Sequence, residues 1–589
     1  MRKKSLPLFL TAVLLTGSLT ACARTSADNK TSPPPNINIS EQIPAANEQD
    51  TLINENIIVL SDSTITINGS EAGTDSSSSV YLSNDIIYYE DRTTYESGNP
   101  YGEGTKEERH NADEAAHHTV VNITKPGTYR LQGSLPKGQI RVDLGESAST
   151  NPEAVVTLIL DETRITCEVA PAILFLNVYE CDNEWSTETA ASTVDTTKAG
   201  ANLVIADDSI NQVNGSYVAR IYKDAEGEKK LWKQDGAIYS YMSMNVDGEK
   251  EGTGILDLTA ENEGLDTELH LTINGGNINI RAQNDGINTN EDGVSVTTIN
   301  GGDLHIIAGL GQEGDGIDSN GWLVINGGTV IASANPAADA GLDSDMGSFI
   351  NGGTVVALGS TMDWAESDSK QVTMNLQFAS YQASDSAIVI TDQKGKYIFA
   401  YDPSEDEVIG ENIRRYMGAI ISCGGFKVDD SYHVYIGGTL EGTEVTGVYD
   451  VAGIGGYEGG VQQAYTGTDV MRRPMGGFGG DFDGNRGGAG GFGGQRPDGQ
   501  EGERPQMPGG EMPEGGWPQM PGGEMPEGGW PQMPGGKVPE GGIPQMPGGK
   551  VPQGSVVMNE GNKVFYMQDK VNFFSGVALL SITESDVLL

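Results

Sequence analysis

At 589 residues the chain is long enough for more than one core, yet only 37% of it is hydrophobic, 81 residues are glycine and the formal net charge is −47. That balance repels phosphate backbones and anionic lipid surfaces and draws cations, so it excludes a nucleic-acid binder and makes calcium the first cofactor to consider. Few aromatics and abundant Gly, Asn, Asp and Thr argue for short strands and turns rather than a compact helical enzyme.

The chain opens with MRKK followed by the apolar run LPLFLTAVLLTGSL, too short and too soon polar for a membrane span. It reads as an export signal over 1–22, and Leu19-Thr20-Ala21-Cys22 has the form of a bacterial lipobox, with Cys22 as the lipidation site. The expected location is therefore the outer face of the bacterial cell membrane, held only through this N-terminal lipid anchor. Residues 23–50, with SADNKTSPPPN, read as a flexible tether. Three cysteines then remain, Cys167, Cys181 and Cys423; a Cys167–Cys181 bridge and free buried thiols both fit.

Short strands begin in the segment 51–365. ITKPGTYRLQGSLPKGQIRVDL and VVTLILDETRITCEVAPAILFLNV read as early coils, and the polar stretch between Asp75 and His118 as a surface insertion into them. Repetition is clearest between about 235 and 360. The units are EGLDTELHLTINGG from Glu263, DGINTNEDGVSVTTINGG from Asp285, DGIDSNGWLVINGG from Asp315 and AGLDSDMGSFINGG from Ala340. QDGAIYSYMSMNVDG from Gln234 is a weaker copy. The NGG triplets fall at 274, 300, 326 and 351, spacings of 26, 26 and 25 residues.

Each unit carries two alternating stretches, such as WLVI and TVIASA, separated by turn residues. A unit this small buries its apolar side only by stacking on its neighbours, here Leu265 on Ile287 on Ile317 on Leu342. The expected fold is all-β, a parallel β-helix with coils about 4.8 Å apart and NGG supplying the positive-φ corner. Hairpin turns at NGG would give an antiparallel sandwich instead, but a sandwich does not require the regular period.

After the repeat, 366–466 begins a different β-rich section expected to cover the open edge of the last coil. Residues 467–556 turn first Gly-rich and then into a 13-residue repeat starting PQMPGG at 505, 518, 531 and 544, expected to be disordered and extended. The tail 557–589 has ordinary composition and no legible role.

The acids recur in two columns: Glu263, Asp285 and Asp315, broken by Ala340, and Asp266, Asn288, Asp318 and Asp343, with Asp345 adding a further carboxylate. Stacked like charges about 5 Å apart cost roughly 3 kcal/mol at an effective dielectric near 20 and about 1 kcal/mol in bulk water. Either the columns are well solvated or a cation lies between the coils. Calcium takes six to eight hard oxygens, which Asp285, Asn288, Asp315, Asp318, Asp343, Asp345 and turn carbonyls can supply. Single Asp or Asn residues also serve as Asx-turn formers. Neither an EF-hand loop nor a nine-residue calcium repeat is spelled.

Many β-helices are pectate lyases or polygalacturonases, so catalysis needs testing against the residues. A calcium-assisted lyase needs an Arg or Lys base beside the metal, and between Glu251 and Ser369 the sole cationic side chain is Arg281. Paired carboxylates for hydrolysis are abundant, but their equivalence along the repeat marks none as an acid or nucleophile. His270 and His305 stand alone in strand contexts.

The order of ITKPGTYRLQGSLPKGQIRVDL, VVTLILDETRITCEVAPAILFLNV, NLVIADDSINQVNGS, DGAIYS, the repeated DGI or GLD units with INGG, and SAIVITDQKGKYIFAYDPSEDE resembles a bacterial family of extracellular carbohydrate-binding domain proteins. The resemblance spans about 51–465 and implies a calcium-bearing right-handed parallel β-helix, similar in shape to polysaccharide lyases, as the carbohydrate-binding domain over 51–365. It further implies non-catalytic binding of an extracellular polysaccharide such as cellulose or polygalacturonate. ENEGLDT and ADAGLDS depart from the DGI pattern, which puts metal at those coils in doubt. Trp322, Trp364, Tyr239 and Tyr241 are the rings that fit sugar faces, and each also fits core or corner packing. A lyase or hydrolase on the same scaffold, and an adhesive structural protein, are the alternatives.

Overall fold

Alternating short stretches such as LHLTI and NINIRA hide one face and show the other, so each pairs with the same stretch of the next unit. The computed structural model describes residues 55–89, 109–182, 186–222, 230–360, 363–383, 386–406, 408–410, 414–468, 557–558 and 561–580. Cys22, the expected signal and tether, and nearly all of 467–556 lie outside these residues. The described residues fall within one compact unit, Ile53–Leu589. They are almost entirely β, with one four-residue α-helix at Ala112–Ala115 capped by Asn111.

Three parallel ladders run through the repeat. In the first, Leu203, Val246, Ile273, Ile299, Ile325 and Ile350 stack in register. In the second, Val213, Leu258, Ile280, Ile306, Ala332 and Ala357 do so. The third carries Val121, Ile140, Ile173, Ile238, Leu265 and Ile287, and single bridges extend it to Ile317 and Leu342. The column expected from the repeat, Leu265 to Leu342, is thus present, and every member is 0% exposed. From Leu265 onward the chain visits the third, first and second ladders in that order in every unit. The first two ladders belong to a 28-stranded sheet of mixed direction, the third to a seven-stranded one.

The NGG corners have two parts. The second glycine takes a left-handed conformation, φ 90° at Gly302 and 81° at Gly328, and a Cβ on Gly328 would come within 2.5 Å of the Gly302 carbonyl oxygen. The asparagines do something the sequence reading missed: Asn300 donates to Asn274 Oδ1 at 2.9 Å, Asn326 to Asn300 at 2.9 Å and Asn351 to Asn326 at 3.0 Å. This exposed amide ladder pins the register at the corner, as the apolar columns pin it inside.

Both ends of the stack are covered by antiparallel strands. Within the supposed surface insertion, Val80–Ser83 pairs antiparallel with Thr119–Ile123, and Ile86 and Tyr89 are buried, so this part belongs to the sheet and core. At the other end Tyr416–Ser422 pairs antiparallel with Thr354–Gly359. It also pairs with Thr373–Gln382, which runs parallel to Val571–Leu580 from the tail. A second core of Met374, Leu376, Phe378, Tyr416 and Phe574 packs over Ile307, Ile331 and Val356 of the second ladder. Cys167, Cys181 and Cys423 are all free, which removes the Cys167–Cys181 bridge.

Candidate cation site on the third ladder

Register places the two acid columns side by side on the third ladder. Asp266 pairs with Asn288, and the bridges Ile287–Ile317 and Ile317–Leu342 carry that column to Asp318 and Asp343. The other column, Glu263, Asp285 and Asp315, lies two residues before the same apolar stack. Good solvation is ruled out for its first half: Glu263 is 2% exposed, Asp266 0%, Asp285 8% and Asn288 6%. Asp315, Asp318 and Asp343 are half-buried, and Asp345 is exposed.

Part of this acid is occupied with backbone. Asp285 Oδ1 accepts from the Asp315 N–H at 2.7 Å, and Asp315 Oδ1 from the Ala340 N–H at 2.5 Å. Asn290 donates to Asp266 Oδ1 at 2.6 Å. These bonds run between neighbouring units, 24 to 30 residues apart, and not within a local Asx turn, and each engages one oxygen of its acid. What remains is unusual: Glu263 Oε2, Asp266 Oδ2 and Asn288 Oδ1 are buried without a hydrogen-bond partner among the described residues.

Electrostatics follow from burial and crowding. Burial, then the neighbouring Asp318, Glu263 and Asp315, holds the Asp285 carboxyl well above the usual range. Asp318 is raised by burial and by Asp343, Asp345 and Glu263, and Asp315 by burial, Asp343 and Asp318. Glu263 is pushed up to about 7 by burial and Asp235. Such a cluster must take up protons or a cation. No three His, Cys, Asp or Glu side chains among the described residues converge into a ready-made metal centre. The orphaned oxygens, one of them an amide, are nevertheless the hard donors calcium selects.

One cation does reach the site, from a residue the repeat did not point to. Lys233 Nζ contacts Asp235 Oδ2, and its charge is held by Asp235, Glu263 and Asp266. The signal is KQDG, in which Lys233 stands one residue before the weak copy and upstream of Glu251. Arg281, the lyase-base candidate, stands on the second ladder in register with Thr259 and Ile307, while the acids stand on the third.

The predicted sugar-contacting rings separate. Tyr239 is corrected: it occupies the column of Asp266, is 0% exposed and donates its hydroxyl to Glu268 at 2.5 Å, so its faces are closed to a ligand. Tyr241 is half-buried against the main core. Trp322 and Trp364, both half-buried, come together: Trp322 pairs with Gly347, and Ser348 bridges Ala365, which sets Trp364 beside Gly347 on the same column of the first ladder. Trp364 also meets Phe573 edge to face at 6.1 Å. Trp364 is packed against the main core as well, and the side chains of Glu366 and Phe349 crowd the space that a Cβ on Gly347 would enter.

The histidines are buried and bound rather than exposed. His270 Nδ1 accepts from the Val296 N–H at 3.1 Å and its Nε2 meets Asp182 at 3.3 Å. His305 links Asp406 Oδ2 at 2.8 Å to Thr446 Oγ1 at 2.9 Å, the spacing of a nucleophile, base and acid. Thr446, however, sits with φ 47° beside Gly447 at φ 80° in a two-residue hairpin turn. The Gly447 N–H that could stabilise an oxyanion is bound to Glu444 Oε2 at 2.7 Å. These contacts dock the Thr446 turn onto the second ladder.

Residues 117–402 match the family model described as carbohydrate-binding domain-containing protein. The match covers a little under half of the chain and includes all three ladders. A solved structure of a polysaccharide lyase-like protein from C. thermocellum, a gadolinium derivative, is similar over 51% of this chain and 92% of that chain, with 21% identity and a TM-score of 0.29. None of the curated proteins matches the chain.

Proposed function

We propose that this protein is a non-catalytic polysaccharide binder of the bacterial cell surface, anchored through Cys22. Its repeat closes into a right-handed parallel β-helix whose acid columns hold calcium. The match of 117–402 to a carbohydrate-binding family carries the reading. Trp322 and Trp364, both half-buried, support it, because indole faces suit the apolar faces of sugars. Asp285, Asn288, Asp315, Asp318, Asp343 and Asp345 are the residues that would hold calcium. Bound there, the ion would neutralise carboxylates that are otherwise buried together.

With Arg281 on another ladder than the acid columns and Lys233 already paired with Asp235, the described residues offer lyase chemistry no uncommitted base at the site. The test is binding of the full chain to cellulose and polygalacturonate with calcium and with EDTA, with the same mixtures followed for unsaturated products. Retained glycan binding without cleavage, weakened by Trp322→Ala at unchanged melting temperature, is the expected result. Cleavage would replace this reading with the lyase. A complete absence of glycan binding would leave an adhesive or structural role.

A further inference from the structure

The acid columns are not neutralised evenly along their length. At their first coil Lys233 pairs with Asp235, whose carbonyl accepts from the Glu263 N–H at 3.2 Å, and the lysine's charge also acts on Glu263 and Asp266; the lysine side chain is 18% exposed and that of Asp235 4%. Glu268 beside them accepts from Tyr239 and also feels Lys233. At the following coils the charges acting on Asp285, Asp315 and Asp318 are all carboxylates: Asp318, Glu263 and Asp315 on the first, Asp343, Asp318 and Asp339 on the second, Asp343, Asp345 and Glu263 on the third. Among the described residues, one column thus has a covalently attached cation at its start and no lysine or arginine among the charges named further along. On the coil before it the two column positions carry no acid, because register places Gly236 opposite Glu263 and Tyr239 opposite Asp266.

We propose that Lys233 is a built-in counter-ion that occupies, at the Glu263–Asp266 coil, the place a divalent cation takes at the coils that follow, and so sets where metal binding along the column begins. The inference rests on the calcium reading above for the later coils, but it concerns this lysine alone. Two buried oxygens at the lysine's own coil, Glu263 Oε2 and Asp266 Oδ2, have no hydrogen-bond partner among the described residues. They are the donors an ion would gain if the ammonium were removed. A lysine is a compact point charge on a flexible stem and can stand in for a hydrated ion among carboxylates without fixing their geometry. Exchanging it for a neutral side chain leaves a buried excess of negative charge, which costs stability until a cation enters.

The experiment is calcium titration of the full chain by calorimetry, with thermal melts in EDTA and in excess calcium, on the wild type, Lys233→Gln and Lys233→Arg. Lys233→Gln is expected to bind about one further calcium per chain, because the vacated oxygens are of the kind the ion selects. Its melting temperature should fall in EDTA and be restored by calcium to near the wild-type value. Lys233→Arg should keep the wild-type stoichiometry. A Lys233→Gln chain that binds the wild-type number of ions, or stays unfolded or destabilised in excess calcium, overturns the proposal and makes the lysine a packing residue. A wild type that binds no calcium beside a Lys233→Gln chain that binds one would support the lysine's role and remove calcium from the later coils.

Discussion

The repeat from Glu263 to Gly359 and the mostly antiparallel strands between Thr373 and Leu580 that follow it fill their interiors in opposite ways. The coils stack Ile, Leu, Val and Ala in fixed columns, with buried carboxylates alongside. The antiparallel sheet packs rings: Phe574 lies 4.8 Å from Tyr465 and 4.9 Å from Phe565, and Phe378 5.6 Å from Tyr416. Parallel strands about 4.8 Å apart leave room for one medium side chain per position, so the specificity of this region comes from register. The antiparallel layer has no such repeat and draws its stability from large, irregular contacts. The coil region therefore depends on charge balance in a way the ring-filled region does not.

That contrast can be broken by mutation. Phe574→Ala should cost about 3–5 kcal/mol, the most of any single change considered, since two ring contacts and a buried volume go together. Its effect on urea midpoint should be the same with calcium or EDTA. Ile317→Ala, at a column position held by bridges on both sides, should cost about 2–5 kcal/mol, and its loss should deepen in EDTA. Equal losses under both conditions would separate the column from the ions.

The pH dependence of the metal-free chain sharpens the comparison further. Burial raises Glu263 and Glu268 to about 7 in the folded protein, above their unfolded values near 4.3. Their contribution to stability is fully present below the unfolded value and is lost as pH rises through the folded value. In EDTA, thermal stability should fall between about pH 4.5 and 7, whereas calcium, competing with protons for the same carboxylates, should flatten that fall. Smallest is Asn326→Ala, which removes two rungs of the exposed amide ladder for about 1 kcal/mol, read from the urea midpoint.

Much of the coil region was legible because its information is periodic. NGG spacing gave the rung, and once the rung is known Leu265, Ile287, Ile317 and Leu342 must stack. The acid columns followed for the same reason. What was illegible lies outside the period. Lys233 reaches the columns from the weak copy, and Trp364 joins Trp322 through a bridge beyond the last repeat. His305 meets Asp406 and Thr446 across 101 and 141 residues. The return of Val571–Leu580 to the strand at Thr373 crosses the whole Pro/Gly segment, and no local pattern announces such a pairing. Tyr239 was misread because its column, unlike an ordinary outward strand position, is closed by the neighbouring acids and turns.

The central claim is that buried carboxylates on the third ladder are balanced by calcium. Metal content of the purified full chain, followed by thermal melts before and after EDTA, tests it most directly. The account predicts bound calcium, a large drop in the melting temperature of the coil region on chelation, and recovery on adding calcium back. A chain that contains no calcium and melts identically in EDTA and in calcium would contradict it.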